Sequence, residues 1–258
     1  MSDTLLRALV ALPFGLVLGS FMTVVVARMP AGESVVAPRS RCPRCKAEIR
    51  SRDNIPVISW LLLRGKCRNC GLKISAEYPL TEAATAALVV GAAIVYASVW
   101  VIVLVGLLLS MTPAIALIDF RHRIIPNRLT YPSLFFFSVF VVVARFFGAP
   151  VDPLRALMGL AIYGGALFVV AIASRGMGMG DVKLAGVIGV SLGALGLRYV
   201  GVAAGAGVLF GGVMGIVALL IGRDRKSAIP FGPSMAAGAI VAAFWGERLA
   251  GSYLKLYH

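Results

Sequence analysis

The sequence predicts an all-α polytopic membrane protein with about eight transmembrane helices and one small polar domain between the first and second helix. Composition is the first reason: 59% of the 258 residues are hydrophobic and only 14% are charged, which is typical of polytopic membrane proteins. The second reason is the pattern of the sequence: apolar segments of about 20 residues, the length that a membrane helix needs, recur along the chain. The third is that a single long polar stretch, residues 28–78, interrupts them.

The first predicted helix runs from about Thr4 to Ala27. Arg28-Met29-Pro30 follows it instead of a small-residue cleavage site, which favours a retained helix over a signal peptide. The apolar run from Pro79 to Asp119 is too long for one span, so we divide it near Ser98 into helices two and three. Five further helices are predicted at about 129–143, 156–173, 181–197, 199–221 and 229–250.

This order predicts three domains: the first helix at 1–28, a polar loop at 29–78 and a seven-helix membrane domain at 79–258. The net charge of +14 could indicate nucleic acid, but in a membrane protein it favours the cytoplasmic excess of Lys and Arg, and we predict no nucleic-acid partner. The loops after helices one, three, five and seven are the basic ones. They therefore belong in the cytoplasm, with both termini outside.

All four cysteines lie in the polar loop, as Cys42-Pro43-Arg44-Cys45 and Cys67-Arg68-Asn69-Cys70. Two Cys-x2-Cys pairs can supply the four thiolates of a tetrahedral zinc site. The alternative is two disulfides, which rarely persist in the reducing cytoplasm where the charge pattern places this loop. The sequence therefore predicts structural zinc, which would stabilise a loop too short to bury much core.

Two acids are predicted at the cytoplasmic ends of membrane helices. Asp119 ends helix three, and Asp181 opens helix six directly after Gly178-Met179-Gly180. An ionisable residue at membrane depth is costly and marks a functional site by default. Gly178 and Gly180 lack side chains, so extended substrate backbone could approach closely. Two carboxylates at one membrane face predict an aspartyl protease whose acids share one proton.

Each acid also has a structural explanation. Asp181 could simply be the N-cap of helix six, and Asp119 could pair with Arg121 or Arg123. Lys183 would point to nearly the opposite helix face from Asp181 and is a poor fixed partner for it. Two other classes of function are an ion- or proton-coupled transporter that uses intramembrane acids and a membrane scaffold with a zinc adaptor loop.

The motifs together resemble one family: the bifunctional type IV prepilin leader peptidases and N-methyltransferases, a branch of the GxGD intramembrane aspartyl proteases. The resemblance covers nearly the whole chain, and Glu77 departs from it where the family usually has a basic or neutral residue. Besides the cysteine pairs and the two acids, the motifs that carry it are Gly15-Leu16-Val17-Leu18-Gly19-Ser20-Phe21, Asn54-Ile55-Pro56, Tyr78-Pro79, Ile125-Pro126-Asn127 and Ile229-Pro230-Phe231-Gly232-Pro233.

The resemblance implies a multi-pass enzyme of the bacterial cytoplasmic membrane that cleaves the basic leader of type IV prepilins or pseudopilins on the cytoplasmic side. It implies Asp119 and Asp181 as catalytic residues. It also implies methylation of the new N-terminal amine with S-adenosylmethionine, because all four cysteines are present. No motif for that donor is recognisable, so its binding residues are unknown at this level. Glu82 is a candidate partner for the amine, although it could equally cap helix two.

Overall fold

The computed structural model describes residues 2–174, 177–222 and 230–255. Its long elements are all helices: α1 Asp3–Arg28, α2 Glu77–Val95, α3 Val99–His122, α4 Asn127–Phe146, α5 Pro153–Ser174, α6 Met179–Gly193, α7 Leu197–Leu220 and α8 Gly232–Lys255. Within α5 the turn Leu160–Gly164 is wider than an α-helical turn. The predicted all-helical class is confirmed, and every predicted helix has a counterpart.

In the described part of the chain, six helices are long and apolar enough to cross a membrane: α1 to α5 and α7. The prediction of eight spans is therefore supported for six helices and stays a prediction for α6 and α8. With 15 residues, α6 is about 22 Å long, shorter than a hydrocarbon core of about 30 Å. Every residue from Leu184 to Gly193 is buried, so α6 is surrounded by protein.

Some helix ends differ from the prediction, and local backbone explains why. Asp119 was expected to end its helix, but α3 continues to His122 and stops where Arg123 adopts a left-handed conformation and donates its N–H to the Asp119 carbonyl. The sixth helix was expected to run to Leu197, but α6 ends earlier, before a turn at Gly196 with φ +151°. The expected start of the eighth helix at Ile229 lies outside the described residues.

Small residues bring α6 against α5. A Cβ added to Gly189 would lie 2.4 Å from the carbonyl oxygen of Gly159, a distance that no side chain can occupy. Such close approach is a common way to pack helices in lipid. It fixes α6, which carries Asp181 in its first turn, in the middle of the bundle.

The polar domain between α1 and α2 contains two similar hairpins and little buried apolar surface. Isolated bridges join Arg41 to Glu48 and Lys66 to Lys73. Between the hairpins lie a 3₁₀ turn, Ser51–Asp53, and a short helix, Ile58–Leu62. Of the described residues of this domain, only Cys42 belongs to the buried hydrophobic set. This agrees with the expectation that something other than an apolar core stabilises the domain.

Candidate functional site

The structure brings Asp119 and Asp181 together. Asp119 lies one turn before the end of α3 with 5% of its surface exposed, and Asp181 lies half-buried in the first turn of α6. The two carboxylates are close enough to interact electrostatically. Two acids that are 62 positions apart in the sequence therefore lie near each other, and their joint action as a catalytic pair stays a prediction.

Asp119 is held by the start of α8. The backbone N–H of Gly232 donates to Asp119 Oδ2 at 2.7 Å, and the N-terminal end of a helix favours a negative charge. A Cβ added to Gly232 would lie 2.7 Å from the same oxygen, so only glycine permits this contact. Arg121, one proposed ion-pair partner of Asp119, instead pairs with Glu77 at the start of α2.

Asp181 is not the cap of its helix. The N-cap position is Gly178, and no side chain caps α6 there. The Asp181 N–H donates to the Gly178 carbonyl at 3.1 Å. The two glycines have different surroundings: Gly178 is exposed next to the Asp181 carboxylate, whereas a Cβ on Gly180 would lie 3.0 Å from that of Ile125. Gly180 thus allows α6 to pack on the segment that precedes α4.

Lys183 points away from Asp181, as its position two residues further along the helix indicated. Its Nζ donates to Asn127 Oδ1 at 2.7 Å and lies 4.8 Å from the ring centroid of Tyr131. Both partners belong to the first turns of α4. The lysine therefore joins the start of α6 to the start of α4.

Two residues of this site were not identified from the sequence as site residues. Gly232 was only part of a quoted motif, and its contact with Asp119 depends on how α8 packs. Tyr163, buried in the wide turn of α5, lies within electrostatic range of Asp181. Its signal in the sequence is a single hydroxyl within a long apolar segment, because the polar end of a buried tyrosine normally has a partner.

The four cysteines form the second part of the candidate site. Their Sγ atoms all lie within 4.8 Å of one another, with Cys42 and Cys70 at 4.0 Å and Cys45 and Cys67 at 4.0 Å. Tetrahedral zinc with bonds of about 2.3 Å separates its sulfurs by about 3.8 Å, so the cluster fits that ion. The distances are far from the 2 Å or so of a disulfide, and all four cysteines are free.

The two hairpins present their cysteines in the same way. Cys42 N–H donates to Ala47 O and Cys67 N–H to Leu72 O, each at 2.9 Å. Backbone N–H groups of Cys45 and then Arg44 lower the pKa of the Cys42 thiol to about 7. The N–H of Leu72 lowers the pKa of the Cys70 thiol, but desolvation and the neighbouring thiols raise it further, to about 11. A bound metal would therefore be what keeps all four sulfurs as thiolates.

Glu82 has a structural partner at the junction of the polar domain and the membrane helices. Its side chain is buried with 8% exposed, and its Oε2 accepts the N–H of Val57 at 2.7 Å. Val57 has φ +62° and ψ −51°, the conformation of a rare and strained γ-turn. Glu82 therefore holds this turn against α2, and it does not cap α2, which begins at Glu77.

Comparisons with known proteins identify the family of the chain. Residues 13–96 match the model of the bacterial peptidase A24 N-terminal domain, and residues 106–222 match the type IV leader peptidase family. A protein of Bacillus subtilis named prepilin leader peptidase/N-methyltransferase is 37% identical over 248 residues, which cover 94% of this chain and 96% of that protein. Proteins of the same name from Aeromonas hydrophila and Pseudomonas aeruginosa are each 32% identical, over 93% and 98% of this chain and 91% and 96% of their own lengths. No solved structure matches. The chain belongs to the type IV leader peptidase family.

Proposed function

We propose that this protein is a bifunctional membrane enzyme that cleaves the leader peptide of type IV prepilins or pseudopilins and then methylates the new N-terminal amine. Family membership supports both activities, since the relatives carry both in their name. The observation that carries the peptidase assignment is the meeting of Asp119 and Asp181 at the ends of α3 and α6. No observation on the described residues favours the ion-coupled transporter.

The mechanism follows from two carboxylates in one partly buried site. Both cannot ionise cheaply there, so the pair holds one proton and titrates as a unit. The ionised acid takes a proton from a water whose oxygen attacks the scissile carbonyl carbon, while the other acid gives its proton to the carbonyl oxygen. When the carbon–nitrogen bond breaks, the leaving amine takes the proton that the first acid drew from water, and a hydroxyl of the tetrahedral intermediate returns a proton to the second acid, so the pair again holds one proton.

The chain's own groups position this pair. Gly232 donates its N–H to Asp119, which fixes one carboxylate, and Lys183 fastens the helix that carries the other. The exposed backbone at Gly178, beside Asp181, leaves space for an extended substrate. Because hydrolysis needs the acids within reach of one carbonyl, these contacts serve catalysis by positioning.

We assign the four cysteines to a structural zinc ion, and the methyl donor to S-adenosylmethionine, which supplies an electrophilic methyl group when bound. Zinc fits because the sulfur distances match a four-thiolate tetrahedron. A closed four-cysteine site leaves no position for substrate. The role of the metal is therefore to hold the polar domain in shape for methyl transfer.

The sidedness we propose puts the polar domain and the aspartate pair at the cytoplasmic face. Arg121, two residues after Asp119, pairs with Glu77 at the junction of the polar domain and α2. This contact supports a location of both activities at the same end of the bundle. The substrate could then pass from cleavage to methylation without crossing the bilayer.

One assay tests the proposed function against its alternatives. Purified protein is incubated with a type IV prepilin and S-adenosylmethionine labelled in its methyl group. We expect a shortened pilin that carries the label on its new N-terminal residue. Intact prepilin would contradict the peptidase assignment, and an unlabelled shortened product would contradict the methyltransferase assignment.

Replacement of the four cysteines by serine tests the metal. We expect zinc content to fall from about one ion per chain to none, with methylation lost and leader cleavage largely kept, because the aspartates lie on other elements. Elemental analysis and the two activities are measured on the same preparation. Unchanged zinc content in the variant would rule out this site.

A further inference from the structure

The short helix of the polar domain, Ile58–Leu62, reverses the usual arrangement of side chains for a helix in water. Its one buried side chain is the polar Ser59, which is 5% exposed. Leu61 and Leu62 are 60% and 76% exposed, and Ile55 and Ile58 are exposed as well. A surface helix in water buries its apolar side and exposes its polar side. Exposed apolar side chains grouped in this way mark a surface that another molecule covers.

We propose that this helix lies in the cytoplasmic leaflet of the membrane. Its apolar face, defined here as Ile55, Ile58, Leu61 and Leu62, contacts acyl chains, and the cations around it bind anionic lipid headgroups. The partner is therefore the lipid bilayer. The inference goes beyond the two proposed activities and uses the proposed sidedness only to choose the leaflet.

The position of the helix alongside α1 and α2 supports this partner. Val57, the residue before the helix, donates its N–H to Glu82 of α2. Glu82 packs on Gly19 of α1, where an added Cβ would lie 2.7 Å from the Glu82 Cα. Gly19 lies nine residues before the last residue of α1, which is about 13 Å along the helix axis. The short helix therefore begins beside the membrane helices rather than beyond their ends.

At that level the membrane helices present apolar side chains outward. Phe21, two residues after Gly19, and Leu80, two residues before Glu82, are both exposed. In a helix that spans a membrane, exposed apolar side chains contact lipid. A short helix that begins at the same level has lipid beside it.

The charge of the surrounding segment is complementary to an anionic membrane surface. Residues 29–76, between α1 and α2, hold ten Lys and Arg but three acids. Two of these cations, Arg39 and Arg68, pair with Glu48 and Asp53. No ion pair found among the described residues includes the other eight. Basic residues close to a membrane attract anionic lipids.

Three of these eight cations are joined directly to the short helix. The Arg52 carbonyl accepts the hydroxyl of Ser59 at 3.0 Å. Arg64 and Lys66 donate their backbone N–H groups to the carbonyls of residues 61 and 63, at 3.0 and 3.1 Å. An apolar helix face with cations around it is the pattern of helices that lie in the membrane interface.

Trp60 fixes the helix to the second cysteine hairpin. Its Nε1 donates to the Ile74 carbonyl at 3.1 Å, and a Cβ added to Gly65 would lie 2.8 Å from its ring. The helix and the hairpin therefore move together. Docking of the helix in lipid would hold the cysteine cluster at a fixed distance from the membrane surface.

Two other partners could cover the apolar face: a second copy of this chain or an apolar segment of a prepilin. A second copy would bring the same excess of positive charge, and a prepilin with a basic leader would also bring cations. Anionic lipid instead supplies negative headgroups next to apolar chains. The charge therefore favours the bilayer, and the other two partners are outcomes of the test.

The test is photocrosslinking from the helix in the full-length, zinc-loaded protein, reconstituted in nanodiscs of phosphatidylcholine and phosphatidylglycerol in equal parts. Leu62→p-benzoylphenylalanine places a photoreactive group on the apolar face. The same substitution of the exposed Leu80 in α2 is the positive control, and that of the exposed Arg44 in the first cysteine hairpin is the negative control. We expect lipid adducts at Leu62 and Leu80 but not at Arg44. Leader cleavage by each variant reports correct folding.

The headgroup contact is tested on the same adducts. We expect the lipid crosslinked at Leu62 to be enriched in phosphatidylglycerol by about fivefold over phosphatidylcholine. Arg52→Gln combined with Arg64→Gln should remove most of this enrichment. Arg145→Gln, an exposed arginine at the far end of α4, is the matched control and should keep it. An unchanged lipid ratio in the double variant would overturn the role of these cations.

The remaining outcomes separate the possible partners. Adducts from Leu62 only to added prepilin or to a second copy of the chain would overturn the proposal, as would lipid adducts at Arg44 equal to those at Leu62. If the Leu62 variant does not fold, the same substitution of Ile58 decides between these results. Lipid adducts in a protein that neither cleaves nor methylates would refute the proposed function and leave the membrane contact established.

Discussion

Gly232 illustrates how one residue with no side chain can control the candidate site. Its N–H is the hydrogen-bond donor to Asp119, and the position of its missing Cβ is 2.7 Å from that carboxylate. A methyl group there would push the acid away or break the hydrogen bond. The residue is thus a positioning residue for the proposed catalytic pair.

We therefore expect Gly232→Ala to reduce leader cleavage on the order of 100-fold, because a displacement of about 1 Å is enough to do so. Gly251→Ala on the same helix is the control, since a Cβ there meets nothing within 4 Å. Cleavage rates of both variants are measured with one prepilin. Equal activity of Gly232→Ala and the control would show that this contact does not position Asp119.

The sequence was informative about residues whose chemistry is unusual for their surroundings. Asp119, Asp181 and the four cysteines stand out as candidates because acids and thiols are rare in an apolar chain and the cysteines have recognisable spacing. Gly232 and Tyr163 could not be placed in the site, because their roles depend on distances across the fold. Glu82 was noticed as a charge, but its contact with Val57 depends on a loop conformation that no pattern indicates.

At the scale of elements, α6 depends on α4 for its position. The ammonium of Lys183 is bound by the Asn127 side chain and lies over the Tyr131 ring. Because Lys183 is two residues after Asp181, this contact fixes the first turn of α6. It also explains why the motif that contains Asn127 and the motif that contains Lys183, 56 residues apart in the sequence, are close in space.

We expect Lys183→Ala and Asn127→Ala each to lower cleavage several-fold, and the double variant to be little worse than either single one. The effects of two substitutions that remove the same contact do not add. The four proteins form a double-mutant cycle in which cleavage rate is the readout. Fully multiplicative losses would indicate that the two side chains act independently.

Element ends were less predictable than element types. The sequence placed Asp119 at the end of its helix, whereas α3 runs three residues further because Arg123 supplies the left-handed residue that ends it. Apolar patterning cannot detect this, since polar residues continue a helix as readily as apolar ones. The error is small, but it moves Asp119 from the helix end to a buried position one turn inside.

At the scale of the whole molecule, the helices follow the predicted order around a buried α6. The hydropathy pattern does not reveal that α6 is enclosed, because hydropathy does not distinguish lipid contact from protein contact. Its ten consecutive buried residues and its short length are consistent with a helix that needs other helices to cover it. The number of membrane-spanning helices therefore depends on how the helices pack as well as on their composition.

The proposed sidedness can be measured on intact cells. We expect tags at either terminus to be accessible from outside the cytoplasmic membrane, because eight crossings are even in number and the basic loops face inward. Single-cysteine labelling in the polar domain should require permeabilised cells. A terminal tag that only permeabilised cells expose would contradict this sidedness, and termini on opposite sides would contradict eight crossings.

The central claim is that Asp119 and Asp181 hydrolyse the leader peptide as a pair. Leader cleavage by Asp119→Asn and Asp181→Asn tests it most directly, with Asp152→Asn as control, because Asp152 caps α5 beyond the far end of α4. We expect each of the first two variants to fold and to lose cleavage by at least about 100-fold, and the control to cleave normally. Substantial cleavage by either dyad variant would contradict the account.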